Sequence, residues 1–241
     1  MLESPTRRRG LLSLVAMLAI FGIALHGPLA AAAAQDDPAS DTFDFNDLDG
    51  FQRGAGRTYM GDLSALFGNL DAYATPGAEI ATPDLSQLGL FMLGGFVAQF
   101  DNGDHASSGL DKLAEQITQG GEEDEDFTFS ETKVDTIGDK TKAFTGDYSS
   151  DGIDGKAVVI LSQKGDYLYA AVAISFGSDP TDAAKSFVTD MTNNKPGDGD
   201  GTFNEDGTST GGLWDVFPSS DADYLKGLTP MSDEDLSQSG E

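Results

Sequence analysis

The chain has two histidines, and His26 lies in an apolar N-terminal run, so imidazole chemistry rests on His105 alone. A metal centre built from several histidines is excluded. A Ser-His-Asp arrangement would have to use His105, which follows Asp101-Asn102-Gly103-Asp104 in the first turn of an expected helix. At that position the residue reads as a solvated helix-start side chain. The sequence holds no Gly-x-Ser-x-Gly elbow, no His-Glu-x-x-His pair and no phosphate-binding glycine loop. Gly54-Ala55-Gly56 lacks the third glycine of a dinucleotide fingerprint and follows no evident strand. No catalytic residue is assigned.

Carboxylates are the remaining resource. Asp and Glu total 41, enough to form a glycosidase-like pair in many places and therefore to single out none. The strongest spacing for a metal runs through Asp198, Asp200, Thr202 and Asn204, where oxygen-bearing side chains alternate, with Asp206 beyond. Calcium takes such oxygens. Phe203 stands in place of the turn glycine of a calcium loop, and Ser209 in place of its bidentate Glu. Asp198, Asp200, Asn204 and Asp206 are the candidate calcium ligands, and no other cofactor is expected. Asp44, Asp47 and Asp49 with Gly50 fit turn and cap chemistry better, because Phe45 and Leu48 interrupt the ligand spacing.

Charge and targeting narrow the function classes. Arg7-Arg8-Arg9 precede an apolar run from Leu11 to Leu25, then Pro28 and the small residues Ala30 to Ala34. That is the build of an export signal, expected over residues 1–34, and Thr6 to Leu11 resembles a twin-arginine variant with Gly10 where Phe is frequent. Without that leader, 14 basic and 41 acidic residues become 11 and 40, a net charge of −29. Such a field repels nucleic acid and anionic lipid, and no membrane association is expected once the leader is removed. Cations, or an unknown small-molecule or envelope ligand, are the partners it suits. Asp outnumbers Glu about threefold, a balance that fits a salt-rich habitat. Cys is absent, so neither a disulfide nor a lipid anchor on Cys is available.

The elements that must position these residues centre on Gly155 to Met191. Ala157 to Leu161 and Tyr167 to Phe176 read as strands joined at Lys164-Gly165-Asp166. With a two-residue loop, Ala157, Val159 and Leu161 share a face with Leu168, Ala170, Val172, Ile174 and Phe176. Val158, Ile160, Tyr167, Tyr169, Ala171 and Ala173 take the other. A helix follows, with Asp179 as N-cap, Pro180 at its first position and a stripe of Ala184, Phe187, Val188 and Met191. That stripe is expected to cover the face centred on Val172.

Upstream, a strand through Phe96 to Phe100 leads to a helix with Ala106, Leu110, Leu113, Ala114 and Ile117 on one side. An offset of 74 residues superimposes this strand and helix pattern on the later pair, as two similar units would. Phe127 and Phe129 open one strand, and Lys140 to Tyr148 form another. The expected fold is α+β and two-layered. A mostly antiparallel sheet carries its helices on one face, in the order strand, helix, four strands, helix. Residues 35–87 read as a helical or irregular segment packed on the domain, with a short helix at Leu63, Leu66, Phe67 and Leu70. Residues 88–195 form the core. Residues 196–241 form an acidic Gly/Asp-rich tail, partly disordered, whose one apolar knot is Leu213 to Pro218.

Val97-Ala98-Gln99-Phe100-Asp101 before a small-residue helix, Ile137-Gly138-Asp139, and then the hairpin and helix resemble the extracytoplasmic sensor and lipoprotein domains of actinobacteria. The sensor domain of mycobacterial membrane kinases is the best-known example. The resemblance spans Leu88 to Asn194 and departs in having no Cys where those domains carry disulfides, no lipobox and no kinase. It implies a binding module with a cleft between sheet and loops, not an enzyme, and carries over no site residue. An exported, non-catalytic binding or envelope-associated protein is therefore expected, with a secreted hydrolase using a carboxylate pair as the alternative.

Overall fold

The structure is a computed structural model that describes residues 48–61, 89–123, 127–150, 153–199, 201–203 and 209–231. The leader expected over residues 1–34 and the helix expected at Leu63 to Leu70 both lie outside these residues. In chain order the elements are β1 (Phe51–Met60), β2 (Gly89–Phe100), α1 (Gly103–Glu123), β3 (Phe127–Thr132), β4 (Lys140–Ser150), β5 (Ile153–Lys164), β6 (Tyr167–Phe176) and α2 (Thr181–Asn193). A two-stranded ribbon of β7 (Thr202–Phe203) and β8 (Ser209–Thr210) follows, then short 3-10 turns and β9 (Thr229–Pro230).

The fold is α+β, with one seven-stranded antiparallel sheet in the order β3-β4-β5-β6-β2-β1-β9. Lys164 pairs with Tyr167, so Gly165-Asp166 is the two-residue loop, and Gly165 adopts φ +59 there. The expected face parity follows, with Val159 opposite Val172 and Ile160 opposite Ala171.

The expectation that both helices pack on one face is corrected. α1 lays Ala106, Leu110, Ala114 and Ile117 on the face of Phe96, Ala98, Val159, Leu161 and Val172. α2 lays Ala184, Phe187, Val188 and Met191 on the opposite face, against Leu93, Val97, Val158, Ile160 and Ala171. Val172 therefore lies under α1, not under Phe187. The reason is composition: β6 is buried along almost its whole length, and a strand apolar on both sides needs cover on both. The 74-residue offset is likewise a likeness of pattern. Its two strands contribute Phe96 and Ala170 to the same face, yet the helices that follow go to opposite faces.

Two segments read as irregular are built into the sheet and its cover. β1 pairs with β2 from Phe51 to Met60, and Gly54 and Gly56 sit inside it. A Cβ on Gly54 would strike the Phe96 ring, and one on Gly95 would strike Phe187 and Met191, so glycine makes room for an aromatic ring on each face. After α2, Leu213, Trp214, Val216, Phe217 and Leu225 bury themselves beside it on the second face. The packed unit does not stop at Pro196. Phe187 is the hub, with Tyr59, Tyr224 and Phe217 at ring distances of 5.9, 6.2 and 6.5 Å.

At the start of α2 the cap is displaced by one residue. The Pro180 carbonyl accepts the first helical amide, from Ala184, while the Asp179 carboxylate accepts from the Thr181 amide at 2.9 Å. Asp179 still satisfies an otherwise orphaned donor.

Candidate functional site

The polar residues of most interest gather where the β5–β6 turn, the end of β2, the start of β1 and the first turn of α1 meet. The Phe100 amide donates to the Asp166 carbonyl at 2.8 Å, and the Asp101 amide to the Gly50 carbonyl at 2.9 Å. These bonds hold the end of β2 between its neighbours. On the α1 side, Asn102 caps the helix by accepting the His105 amide at 2.9 Å. His105 Nδ1 lies 2.6 Å from Asp101 Oδ1, and Asn102 Nδ2 lies 3.0 Å from the same oxygen. Gly50 has φ +75, and a Cβ there would collide with both Asp101 and His105.

This is a His–carboxylate pair, the geometry by which an imidazole is oriented as a base. Among the described residues its ring hydrogen-bonds only to Asp101 and Asn102, and no hydroxyl nucleophile joins it. The pair closes a helix start, as the sequence indicates for His105.

The other side of the same corner is a half-buried ledge. Arg53 donates from Nε to Gln99 Oε1 at 2.8 Å and from Nη1 to the Gly199 carbonyl at 2.7 Å. Beside it stand Tyr167 and Tyr169, their ring centroids 6.2 Å apart. Burial pushes the Tyr167 hydroxyl up, the Asp166 charge adds to this, and the nearby Arg53 opposes it. Burial lifts Tyr169 to about 12. Two strand positions on, the Arg57 guanidinium lies 5.7 Å from the Tyr59 ring centroid, a cation–π distance. Arg53 and Arg57 are the two arginines of the chain beyond Arg7-Arg8-Arg9. The ledge brings guanidinium, amide and phenol groups together in a strongly acidic protein. Sequence reasoning missed it because β1 went unread as a strand; the signal was two arginines four apart, which a period of two places on one face.

Among the described residues the carboxylates with displaced acidity are held by hydrogen-bond donors of the fold. Asp111 bridges Lys140 at 2.6 Å and Lys142 at 3.0 Å, and the hydrogen bond from Lys140 is the main cause of its lowered pKa. Asp135 is lowered chiefly by its hydrogen bond from Lys185, and Asp179 by those from Thr181. Asp190 accepts a hydrogen bond from the Tyr224 hydroxyl, which ties α2 to the segment after it.

Of the candidate calcium ligands, only Asp198 is among the described residues. It is exposed, and its carbonyl accepts from the Gly212 amide at 3.4 Å. Asp200, Asn204 and Asp206 lie outside them. Among the described residues no group of three or more His, Cys, Asp or Glu is placed to hold a metal. No helix among them is long and apolar enough to cross a membrane.

No family model matches this chain, and no curated protein matches its sequence. Among solved structures it is similar to the extracellular domain of PknH from Mycobacterium tuberculosis, at 11% identity and a TM-score of 0.34, covering 63% of this chain and 92% of that one.

Proposed function

We propose that the chain is an extracytoplasmic binding module that holds its ligand without transforming it. The observation that carries this reading is the direction in which the fold displaces its carboxylates. Asp111, Asp135, Asp179 and Asp221 are each pulled below the ordinary range by hydrogen-bond donors. A glycosidase-type pair needs one carboxyl pushed the opposite way, so that it keeps a proton to deliver. Among the described residues these four acids act as structural anions, which favours the binding reading over the carboxylate-pair hydrolase. The leader pattern supports export, and the net charge of −29 that remains without it disfavours nucleic acid and anionic lipid as partners.

The ligand we infer is a small molecule or an envelope component engaged at the ledge of Arg53, Gln99 and Tyr167, with cations as general stabilisers. The test is calorimetric titration of the chain from Gln35 onward with solubilised envelope saccharides and peptides, followed by chemical recovery of whatever binds. Saturable binding that weakens in Arg53→Ala, with the ligand recovered intact, supports the reading. Recovery of cleaved ligand, with a bell-shaped pH profile, contradicts it. In the same experiment calcium chloride is compared with sodium chloride at equal ionic strength. A melting temperature raised further by calcium is expected if Asp198 to Asp206 is a site.

A further inference from the structure

Asn102-Gly103 is the chain's single Asn-Gly step, and Asn102 is exposed at the start of α1. Such a step carries its own chemistry. The glycine nitrogen can add to the side-chain carbonyl carbon of the Asn before it, because no Cβ crowds the approach. Inside a helix the backbone nitrogen is tied to the turn before it. Gly103 opens α1, and the first amides of a helix have no acceptor within it. The groups around the Asn102 amide match what that attack needs. Its Oδ1 accepts the His105 backbone amide at 2.9 Å, and its Nδ2 donates to Asp101 Oδ1 at 3.0 Å. Nδ2 also lies 3.1 Å from His105 Nδ1, which is itself 2.6 Å from Asp101 Oδ1. A carboxylate only accepts, so the short contact with Asp101 places a proton on His105 Nδ1. A donor therefore sits on the oxygen that gains negative charge, and an N–H oriented by a carboxylate sits beside the nitrogen that must leave.

We propose that Asn102 is a self-modification site, which deamidates in the folded chain through a cyclic imide with His105 as proton donor. Gly103 N gives its proton to solvent and bonds to Asn102 Cγ, while the carbonyl electron pair moves onto Oδ1 under the His105 amide. The pair then returns and the Cγ–Nδ2 bond breaks. Nδ2 leaves as ammonia with the proton from His105 Nδ1, which is replaced from solvent. Water opens the five-membered ring in one of two places. Opening at Cγ restores the backbone and leaves an aspartate side chain. Opening at the Asn102 main-chain carbonyl carbon routes the backbone through the side chain. The first product suits the fold, since Asp caps a helix start as well as Asn does. It also turns a neutral cap into a charged one, in a corner that already holds Asp101 and Asp104.

The test is peptide mass mapping of the full folded chain held in mildly alkaline buffer, with the converted fraction of Asn102 followed in time. Asn102 is expected to convert, exchanging NH for O in mass, while the exposed Asn193 and Asn194 stay intact. Gly103→Ala is expected to stop the conversion by crowding the attacking nitrogen. The added Cβ would lie 3.0 Å from the Gly165 carbonyl oxygen, so a urea midpoint shows whether that variant keeps its fold. His105→Gln keeps the backbone amide on Oδ1 and removes the ring N–H. It is expected to slow conversion by roughly a hundredfold, the lower end of what a positioned proton donor contributes. Asn102 that converts in urea but stays intact in the folded chain overturns the proposal, because the fold then protects the step. Conversion of folded Gly103→Ala at the unmodified rate also overturns it, and an unchanged rate in His105→Gln overturns the role given to the imidazole.

Discussion

The two faces of the sheet are equally dry but are sealed in different ways. The first is closed largely by α1, one amphipathic helix that follows directly from β2 and lays four apolar residues across the strands. The second is closed by α2 together with Leu213, Trp214, Val216, Phe217 and Leu225, which arrive after a Gly/Asp-rich stretch. Among the described residues the first cover is mainly one continuous element, with Leu48 beside it. The second is a mosaic held together by aromatic contacts around Phe187 and by the Tyr224 to Asp190 hydrogen bond. A helix stripe therefore announces that a helix packs, not which face it takes or what completes the cover.

The largest expected effect comes from the hub of the mosaic. Phe187→Ala is expected to cost about 3–5 kcal/mol, the range for emptying a buried aromatic site. Leu110→Ala, its counterpart under α1, is expected to cost about 2–5 kcal/mol. Urea midpoints of the two variants measure the difference between the two covers, and a negligible effect at Phe187 would contradict its place as hub.

Alkali should act on the second face next. Tyr169 has its folded pKa raised to about 12 by burial, against about 10 unfolded. Its contribution is therefore fully present below pH 10 and lost as pH rises from about 10 to about 12, roughly 2 kcal/mol in all. Tyr169→Phe should flatten that part of a stability profile measured between pH 9 and 12. An identical alkaline slope in both proteins argues that Tyr169 is not buried as described.

The smallest effect belongs to a site that neither cover includes. Asp179→Ala removes the acceptor for the Thr181 amide and should cost about 1 kcal/mol. The folded pKa of Asp179 is lowered, so its contribution is present above the unfolded carboxylate value and fades as pH falls through the lowered folded one. The difference between wild type and Asp179→Ala should thus shrink below about pH 4. A difference that persists at pH 2 points to packing rather than to the charge.

The hairpin was legible because period-two alternation, a glycine turn and two aliphatic runs all agree on one register. α1 and α2 were legible from stripes at helical spacing. β1 was not, because Phe51 to Met60 is rich in glycine and arginine and carries little hydrophobic alternation; Gly54 makes room for the Phe96 ring rather than adding local strand propensity. The second face went unread for a related reason. Val158, Ile160, Ala171 and Ala173 already announced an apolar underside, but the residues that seal it lie up to about fifty positions further along a polar stretch. Of the polar corner, His105 was placed correctly as a helix-start residue, while the Arg53 ledge depended on recognising β1.

The central claim is that both faces of the sheet are core. Ala171 and Val172 are neighbours in β6, with Ala171 under α2 and Val172 under α1. Urea unfolding of Ala171→Asp and Val172→Asp tests the claim directly, since each would bury an unpaired carboxylate at a cost of several kcal/mol. Both midpoints are expected to fall by comparable amounts, to the edge of folding for a typical domain. A midpoint for Ala171→Asp close to that of the unmodified protein would contradict it.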